Sequence, residues 1–191
     1  VLSVPTESLA GLSRLNGSTA VLSVEAGEDA DGAASGPVRF EVKVGGTVLE
    51  QLEGGMRVAG PFASASSSSV LVLVEADGSE TIVKKSVAGS QMVSALVDGS
   101  CTVLVRNQAQ AFSDLQGHWA QDAIRFVSAR ELFHGTSASA FSPDAHMTRS
   151  MLATVLWRLE DAEGTSGSAL FSDVPGGAWF ADAVRWASGK E

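Results

Sequence analysis

The chain has 191 residues, which suits one or two domains, and its hydrophobic content of 45% argues against wholesale disorder. Its formal net charge is −9, with 7 basic and 12 acidic side chains in residues 1–110 and 6 and 10 in the rest, so neither part has the basic surface of a nucleic-acid-binding protein. No apolar run approaches the ~20 residues of a membrane-spanning helix. Val1 starts directly in what reads as mature sequence, so we expect that any secretion signal was removed or left out.

A short helix is the first predicted element. Leu9, Leu12 and Leu15 fall on one side of it, and Asn16-Gly17 ends it. Residues 28–36 and 66–69 are predicted to be loops, since small and polar residues dominate both stretches.

Strands are predicted to dominate the chain from there to residue 110. Val38–Val44 alternates apolar and polar residues, which indicates a strand with one buried face. Val70–Val74 is a continuous apolar run, which is typical of a strand buried on both faces. It leads into Ala76-Asp77-Gly78, a hairpin signal, and returns as Thr81-Ile82-Val83.

Asp98-Gly99 is a second turn signal of the same kind. It predicts a hairpin that joins Met92–Val97 to Cys101–Val105. One helix and about seven short strands would make residues 1–108 a small β-sandwich or an open barrel.

Cys101 is the one cysteine of the chain, so no intrachain disulfide can form. It lies in an apolar strand-like run, and we interpret it as a small buried hydrophobic residue. The alternative, a catalytic thiol, would need a basic partner, and the nearest charges in sequence, Asp98 and Arg106, are not convincing activators.

The apolar period changes from two to about 3.6 at residues 107–111, which predicts a domain boundary there and only helices and loops beyond residue 112. The first helix stops before Gly135. Its apolar face consists of Trp119, Ala123, Ile124, Val127 and Leu132.

Two further helices are predicted. One begins after Thr148, whose hydroxyl can cap the first turn. Its apolar face consists of Leu152, Val155, Leu156 and Leu159. The other begins near Trp179, after a connector over residues 160–169. It carries Ala183, Val184 and Ala187.

An internal repeat organises this second region. A pattern opens at Phe112-Ser113-Asp114 and again 59 positions later at Phe171-Ser172-Asp173, and each copy runs on through a glycine and a tryptophan into a helix. Between the copies lie Gly135-Thr136, Phe141-Ser142-Pro143-Asp144 and Met147-Thr148-Arg149-Ser150-Met151. The order of these motifs over residues 111–191 resembles the S-layer homology family, whose repeats read F-x-D, W-A-x-x-A-I, G-T, F-S-P-D and I-T-R-A-E.

The resemblance implies an α+β, multidomain fold. Residues 1–108 would be a β-sandwich-like module of the kind that often precedes such repeats, residues 111–160 one complete repeat, and residues 170–191 a truncated second repeat. Family members usually have three repeats around a pseudo-threefold axis with ligand grooves between neighbours, so we expect the full-length protein to continue. The apolar residues Val184 and Trp186 of the truncated repeat would lack neighbours, which predicts a homodimer through that repeat or disorder near residue 191.

The implied function is non-covalent anchoring of an exported surface protein of a Gram-positive bacterium to secondary cell-wall polysaccharide, which often carries pyruvate ketals. The protein would be extracellular, at the cell wall, without enzymatic activity and without a cofactor. Two alternatives stay open for the chain: an accessory domain of a wall-anchored polysaccharide hydrolase, and a structural spacer or adhesin stalk.

Arg149 is the first candidate ligand residue. It lies at a predicted helix N-terminus, where the helix dipole also favours an anion, and its planar fork suits a carboxylate. In the family the matching arginine generally contacts the ligand. The alternative is a solvated arginine or a partner of Asp144.

Four further residues complete the predicted polysaccharide site. Trp119 and Trp179 could stack on sugar rings, although Trp119 is more simply interpreted as core and Trp179 as the border of a groove. Asp114 and Asp173 close the F-x-D turns, where an aspartate commonly caps backbone N–H groups, and hydrogen bonds to sugar hydroxyls are the alternative.

Other site chemistry is not indicated. Met151 stands where the family has the glutamate of a capping box, so half of that box should be lost. The spacing of His118, His134 and His146 matches no zinc motif, and no metal site is predicted.

Overall fold

The computed structural model describes residues 2–3, 20–27, 36–52, 54–61, 65–89, 91–164 and 171–190. The helix predicted around Leu9–Leu15 lies outside these residues. The chain divides into two compact units, residues 1–110 and 111–191. The fold is α+β: the described strands lie in the first unit and the described α-helices in the second. None of the described helices is long and apolar enough to cross a membrane.

The first unit contains two antiparallel sheets. Its described strands are β1 (Leu2–Ser3), β2 (Ala20–Ala26), β3 (Val38–Val44), β4 (Thr47–Val48), β5 (Met56–Pro61), β6 (Ser69–Val74), β7 (Glu80–Ile82), β8 (Val87–Ala88), β9 (Met92–Val97) and β10 (Cys101–Asn107). One sheet has the order β1-β5-β9-β8 and the other the order β2-β3-β10-β6-β7, with β4 added to β3. Three of these strands have only two residues, which explains why the apolar pattern predicted fewer.

Both sheets contribute to one hydrophobic core. Its buried members come from β3, β5, β6, β9 and β10 and from Leu52 between β4 and β5. The alternation predicted for β3 is confirmed, since Phe40, Val42 and Val44 are buried while the residues between them are not. The continuous run of β6 is confirmed as well: Val70, Leu71 and Val72 are fully buried.

The predicted β6–β7 hairpin is present. Val74 pairs with Glu80, and the side chain of Asp77 accepts a hydrogen bond from the backbone N–H of Ser79 at 2.8 Å. Gly78 adopts a φ of 84°, the left-handed conformation that explains the glycine at this place.

The hairpin predicted at Asp98-Gly99 is wrong. Strand β9 pairs with β5 and β8, whereas β10 pairs with β3 and β6, so the turn carries the chain from one sheet to the other. The segment before β5 holds this turn in place, because Leu52 N–H donates to the carbonyl of Asp98 and Ser100 N–H donates to that of Leu49 at 3.0 Å. A Cβ on Gly99 would overlap the Glu50 carbonyl, so the glycine serves a close backbone approach here.

Cys101 is half-buried and packs against the core of the first unit, which fits the interpretation as a small hydrophobic residue. Burial raises the pKa of its thiol to about 11. The thiolate is the reactive form, so the side chain is poorly suited to nucleophilic chemistry at neutral pH.

We therefore expect Cys101 to resist alkylation. Because the pKa of the thiol is raised to about 11 in the folded protein, its reaction with iodoacetamide at pH 8 should be about a hundredfold slower there than in the same chain in denaturant. The rate should rise about tenfold per pH unit towards pH 11. Mass spectrometry of timed samples measures both rates without interference, since the chain has a single cysteine. Equal rates in the folded and unfolded chain would contradict the burial.

The second unit contains a short 3-10 turn (Ser113–Leu115) and three α-helices, α1 (Gln121–Ala129), α2 (Arg149–Leu159) and α3 (Ala181–Ser188). The three predicted helices are present. On the first predicted apolar face Ile124 and Leu132 are buried and Val127 is half-buried, but Trp119 and Ala123 are exposed. The predicted face of α2 is wrong, because Leu152 and Leu156 are about half-exposed while Thr154 is buried. Helix α2 packs against α3, and it lines the groove between them with the small residues Ser150 and Ala153.

The internal repeat extends to a ring–cation pair one helical turn apart. The guanidinium of Arg130 lies 3.6 Å from the centre of the Phe126 ring, and the ammonium of Lys190 lies 5.6 Å from the centre of the Trp186 ring. Arg130 is fully buried, which lowers the pKa of its guanidinium to about 10, whereas Lys190 is exposed. Both copies of the motif therefore have a cation–ring contact at the same place, buried in the first copy and exposed in the second.

Candidate functional site

A complete capping box fixes the first turn of α2. The prediction that half of this box is lost is therefore wrong. The hydroxyl of Thr148 accepts a hydrogen bond from Met151 N–H at 3.2 Å, and the sulfur of Met151 accepts one from Thr148 N–H at 3.4 Å. A thioether is a weak acceptor, but it lies where the family's carboxylate would lie. Arg149 is therefore the first residue of a well-defined helix.

Arg149 lines a groove of about 760 Å³ between α2 and the start of the second repeat, which we call the Arg149 groove. Its walls are Thr148, Arg149, Ser150, Ala153, Phe171, Asp173, Val174, Phe180, Val184, Ala187 and Ser188. Arg149 is exposed, and in the part of the chain that the structure describes its side chain makes no hydrogen bond or ion pair. The guanidinium is thus available to a ligand, and the proposed pairing with Asp144 is not formed.

Asp173 also lines the Arg149 groove and is exposed. The structure thus brings Arg149 of the first repeat and Asp173 of the second repeat to one surface. Two aromatic walls of the groove, Phe171 and Phe180, were missed by sequence reasoning. Phe171 opens the second F-x-D motif, so its place in the repeat was a signal that could have found it.

Asp114, the counterpart of Asp173 in the first repeat, has a structural role. Its carboxylate accepts hydrogen bonds from Phe141 N–H at 3.0 Å and from Ser142 N–H at 2.7 Å. These bonds, that from Phe141 first, lower the pKa of Asp114. The carboxylate thereby joins the F-x-D turn to the F-S-P-D segment.

Substitution of Asp114 tests this joint. In Asp114→Ala the amide protons of Phe141 and Ser142 should lose their acceptor, so their NMR shifts should move upfield and their hydrogen exchange should accelerate. Because the pKa of Asp114 is lowered by folding, its stabilising effect is present above the pKa of an unfolded aspartate, about 3.9, and is lost as the pH falls through the folded-state value. Asp122→Ala, which removes an exposed carboxylate from α1, is the matched control. Unchanged Phe141 and Ser142 amides in Asp114→Ala would rule out the joint.

The two tryptophans lie apart from the Arg149 groove. Trp119 is 90% exposed, so its interpretation as a core residue is wrong, and its ring lies 5.6 Å from that of His118. Trp179 is 63% exposed and lines a different cavity, of about 210 Å³, formed largely by residues 132–136 and 141–147 and by α2. Phe180, which is edge-on to Trp179 at 5.2 Å, takes the place in the groove that sequence reasoning gave to Trp179.

The histidines do not assemble a metal site. His118 Nε2 lies 3.5 Å from Asp144 Oδ1, and His134 Nε2 contacts the backbone carbonyl of Glu131. Among the described residues, no group of three or more His, Cys, Asp or Glu side chains could hold a metal ion.

The comparisons with known proteins agree with the repeat. Residues 111–150 match the family model of the S-layer homology domain. These residues are an S-layer homology domain. The domain is a binding and anchoring module of surface proteins, and it places this protein outside the cell, at the cell surface or the cell wall. No solved structure matches the chain.

Three relatives illustrate the kinds of protein that carry similar segments. An S-layer-related protein of Niallia circulans is 40% identical over 60 residues, which are 31% of this chain and 4% of that protein. An amylopullulanase of Thermoanaerobacterium thermosulfurigenes is 30% identical over 76 residues, 40% of this chain and 4% of that protein. A cellulosome-anchoring protein of Acetivibrio thermocellus is 32% identical over 77 residues, 37% of this chain and 17% of that protein. The chain thus matches only a small part of each relative.

Proposed function

We propose that the chain anchors a surface protein to the bacterial cell wall by binding wall polysaccharide in the Arg149 groove. The single observation that carries this proposal is the meeting of Arg149 and Asp173, from two different repeats, in one groove. A guanidinium fork and a carboxylate there can recognise an acidic sugar substituent and a neighbouring hydroxyl together.

The position of Arg149 favours an anionic ligand. The first residues of α2 leave backbone N–H groups without partners in the helix, and the helix dipole adds partial positive charge at this end. The first turn of α2 contains no acidic side chain that would compete with a bound anion. A carboxylate such as that of a pyruvate ketal is therefore the ligand group that we propose for Arg149.

The apolar walls of the groove suit the other parts of a sugar. Phe171, Phe180 and Val184 offer surface for the C–H faces of a pyranose ring, and Asp173 offers an acceptor for its hydroxyls. Trp119, Trp179 and Asp114 lie outside this groove. They remain predicted contacts that a polysaccharide would reach only if its chain extended beyond the groove.

For the first unit we propose a sandwich-like spacer without catalytic activity. A cavity of about 510 Å³ there is lined by the carboxylates Glu50, Glu75 and Asp98, but all three are exposed. Glycoside hydrolysis needs one carboxyl group that a desolvated environment keeps protonated, and these positions provide no such environment.

A homodimer through residues 170–191 stays a prediction. Val184 and Trp186 are each half-buried within one chain, so the apolar surface that would drive such a dimer is smaller than the sequence suggested.

Calorimetric titration of purified wall polysaccharide into the 191-residue chain tests the proposed function. We expect saturable binding that weakens strongly when the carboxylates of the polysaccharide are reduced to alcohols, since Arg149 would lose its anion. Neutral glycans of similar length are the control. Absence of binding to native polysaccharide, or equal binding to native and reduced forms, would contradict the proposal.

A further inference from the structure

The edge strand β2 differs from the other edge strands of the two sheets. Among the residues that the structure describes, β2 pairs with β3 alone and leaves its other edge open. It has seven residues, whereas the other edge strands β1, β7 and β8 have two, three and two. A short edge offers few backbone groups to another strand, so among the described edge strands β2 offers the most.

The composition of β2 gives no other protection. Its sequence is Ala-Val-Leu-Ser-Val-Glu-Ala, with no proline, no lysine and Glu25 as its one charge. Val21, Leu22 and Val24 are 52%, 42% and 53% exposed, so apolar side chains stand free on both faces of the strand. Edges of this kind, long and apolar, are the ones on which further strands add.

We propose that β2 binds β2 of a second copy of the chain in antiparallel register, with the two-fold axis at Ser23. In this register Ser23 lies opposite Ser23, Leu22 opposite Val24, and Val21 opposite Glu25. The two β2-containing sheets, one from each copy, then form one continuous sheet.

This register extends the apolar face of the β2-containing sheet from one copy to the other. Leu22 is paired with Val42 and Val24 with Phe40 in each copy, and both β3 residues are buried. Across the dimer the row on this face therefore reads Val42, Leu22, Val24 and Phe40 without a polar interruption. Cross-strand pairs of apolar side chains each contribute about 0.2–1 kcal/mol relative to alanine pairs.

The charges agree with the same register. Glu25 is paired with Arg39 of its own β3, and Val21 with Lys43. In the dimer each Glu25 lies between Arg39 and the neutral Val21 of the other copy. The two Glu25 residues are offset by four positions, about 14 Å, so they do not repel each other strongly. A register centred on Glu25 would instead place the two carboxylates opposite each other.

One strand pair is a small interface. It buries less than the ~1,200 Å² of a typical stable complex, so the dimer should be weak in dilute solution. A surface on which many copies are held close together raises their effective concentration and favours such a contact.

Sedimentation velocity of the 191-residue chain over a range of concentrations, with one charge variant, tests the interface. We expect dimer to appear as concentration rises and to disappear in Ser23→Lys, which places two ammonium groups opposite each other at the axis. The substitution suits the monomer, because Ser23 lies beside Glu41 on β3. Thr81→Lys, at an exposed position of edge strand β7 in the same sheet, adds the same charge and should dimerise like the parent. Equal dimerisation of the parent and Ser23→Lys would overturn the proposal.

Cysteine cross-linking tests the register in a Cys101→Ala background. Ser23→Cys alone should form an interchain disulfide under mild oxidation, because side chains directly opposite have Cβ atoms about 4.5–5.5 Å apart. Val21→Cys alone and Glu25→Cys alone should not, whereas an equimolar mixture of the two should yield the mixed disulfide. Equal cross-linking of all three single variants would indicate random encounter and overturn the register.

Discussion

Arg149→Ala is expected to weaken polysaccharide binding by about ten- to a hundredfold. A hydrogen bond to a charged group contributes about 1.5–3 kcal/mol, and each 1.4 kcal/mol is a factor of ten in the dissociation constant. Arg149→Lys should restore only part of the loss, because an ammonium cannot form the planar fork with a carboxylate. Calorimetric titration of the same polysaccharide into each variant measures the differences.

The thermal stability of Arg149→Ala should not fall with its affinity for polysaccharide. A cation at a helix N-terminus opposes the helix dipole, at a cost of about 0.3–1 kcal/mol. Arg149 is the first residue of α2, it is exposed, and the structure shows no side-chain partner for it among the described residues. Arg149→Ala should therefore leave the thermal midpoint of unfolding unchanged or slightly higher. Lower affinity with undiminished stability is the signature of a ligand residue.

Arg125→Ala is the matched control. It removes the same charge from the exposed surface of the same unit, where Arg125 pairs weakly with Asp122 at 3.6 Å. Its affinity should stay close to that of the parent chain, because Arg125 is not a wall of the Arg149 groove. If both arginine variants lost affinity equally, general charge would account for binding. If neither did, Arg149 would not be a ligand residue.

The sequence predicted the helix start at the site but not the surroundings of α2. Thr148 and Arg149 could be placed because capping is local: it depends on a hydroxyl and on N–H groups within one turn. The half-exposed Leu152 and Leu156 could not be predicted, since periodicity shows that a helix has an apolar stripe without showing where its neighbour lies. Helix α2 packs against α3, which follows the second F-x-D motif.

Trp119 and Met151 show two other limits of sequence reasoning. A tryptophan on an apolar helix face is usually a core residue, but here the helix begins two residues after Trp119, at Gln121, and the Trp119 ring is exposed. Met151 lacks a carboxylate, yet its sulfur comes within 3.4 Å of Thr148 N–H, because a flexible thioether reaches the same place.

In the first unit, strands were predictable and their partners were not. The period-two pattern of β3 and the apolar run of β6 reflect burial, which each strand records in its own residues. The Asp98-Gly99 dipeptide predicts only that the chain turns there. Whether the two flanking strands pair with each other depends on β3, β5 and β6, which are distant in sequence.

Gly99→Ala should destabilise the first unit by about 3 kcal/mol, the upper part of the range for forcing extra atoms into a packed site. The new methyl group would overlap the Glu50 carbonyl and come within 2.8 Å of the Gln51 nitrogen. These are backbone atoms that hydrogen bonds from Leu52 and Ser100 hold against the turn, so they cannot move aside as a side chain would. Urea unfolding followed by circular dichroism measures the loss.

Gly78→Ala separates this packing effect from the general cost of replacing a turn glycine. Gly78 adopts a φ of 84° in the β6–β7 hairpin, but no heavy atom lies within 4 Å of a Cβ built there. Its replacement should cost only the penalty of a left-handed alanine, about 1–2 kcal/mol. If Asp98-Gly99 were an ordinary hairpin turn, both variants would lose similar stability. A clearly larger loss in Gly99→Ala is expected because that turn carries the chain between the two sheets, against the backbone of the segment before β5.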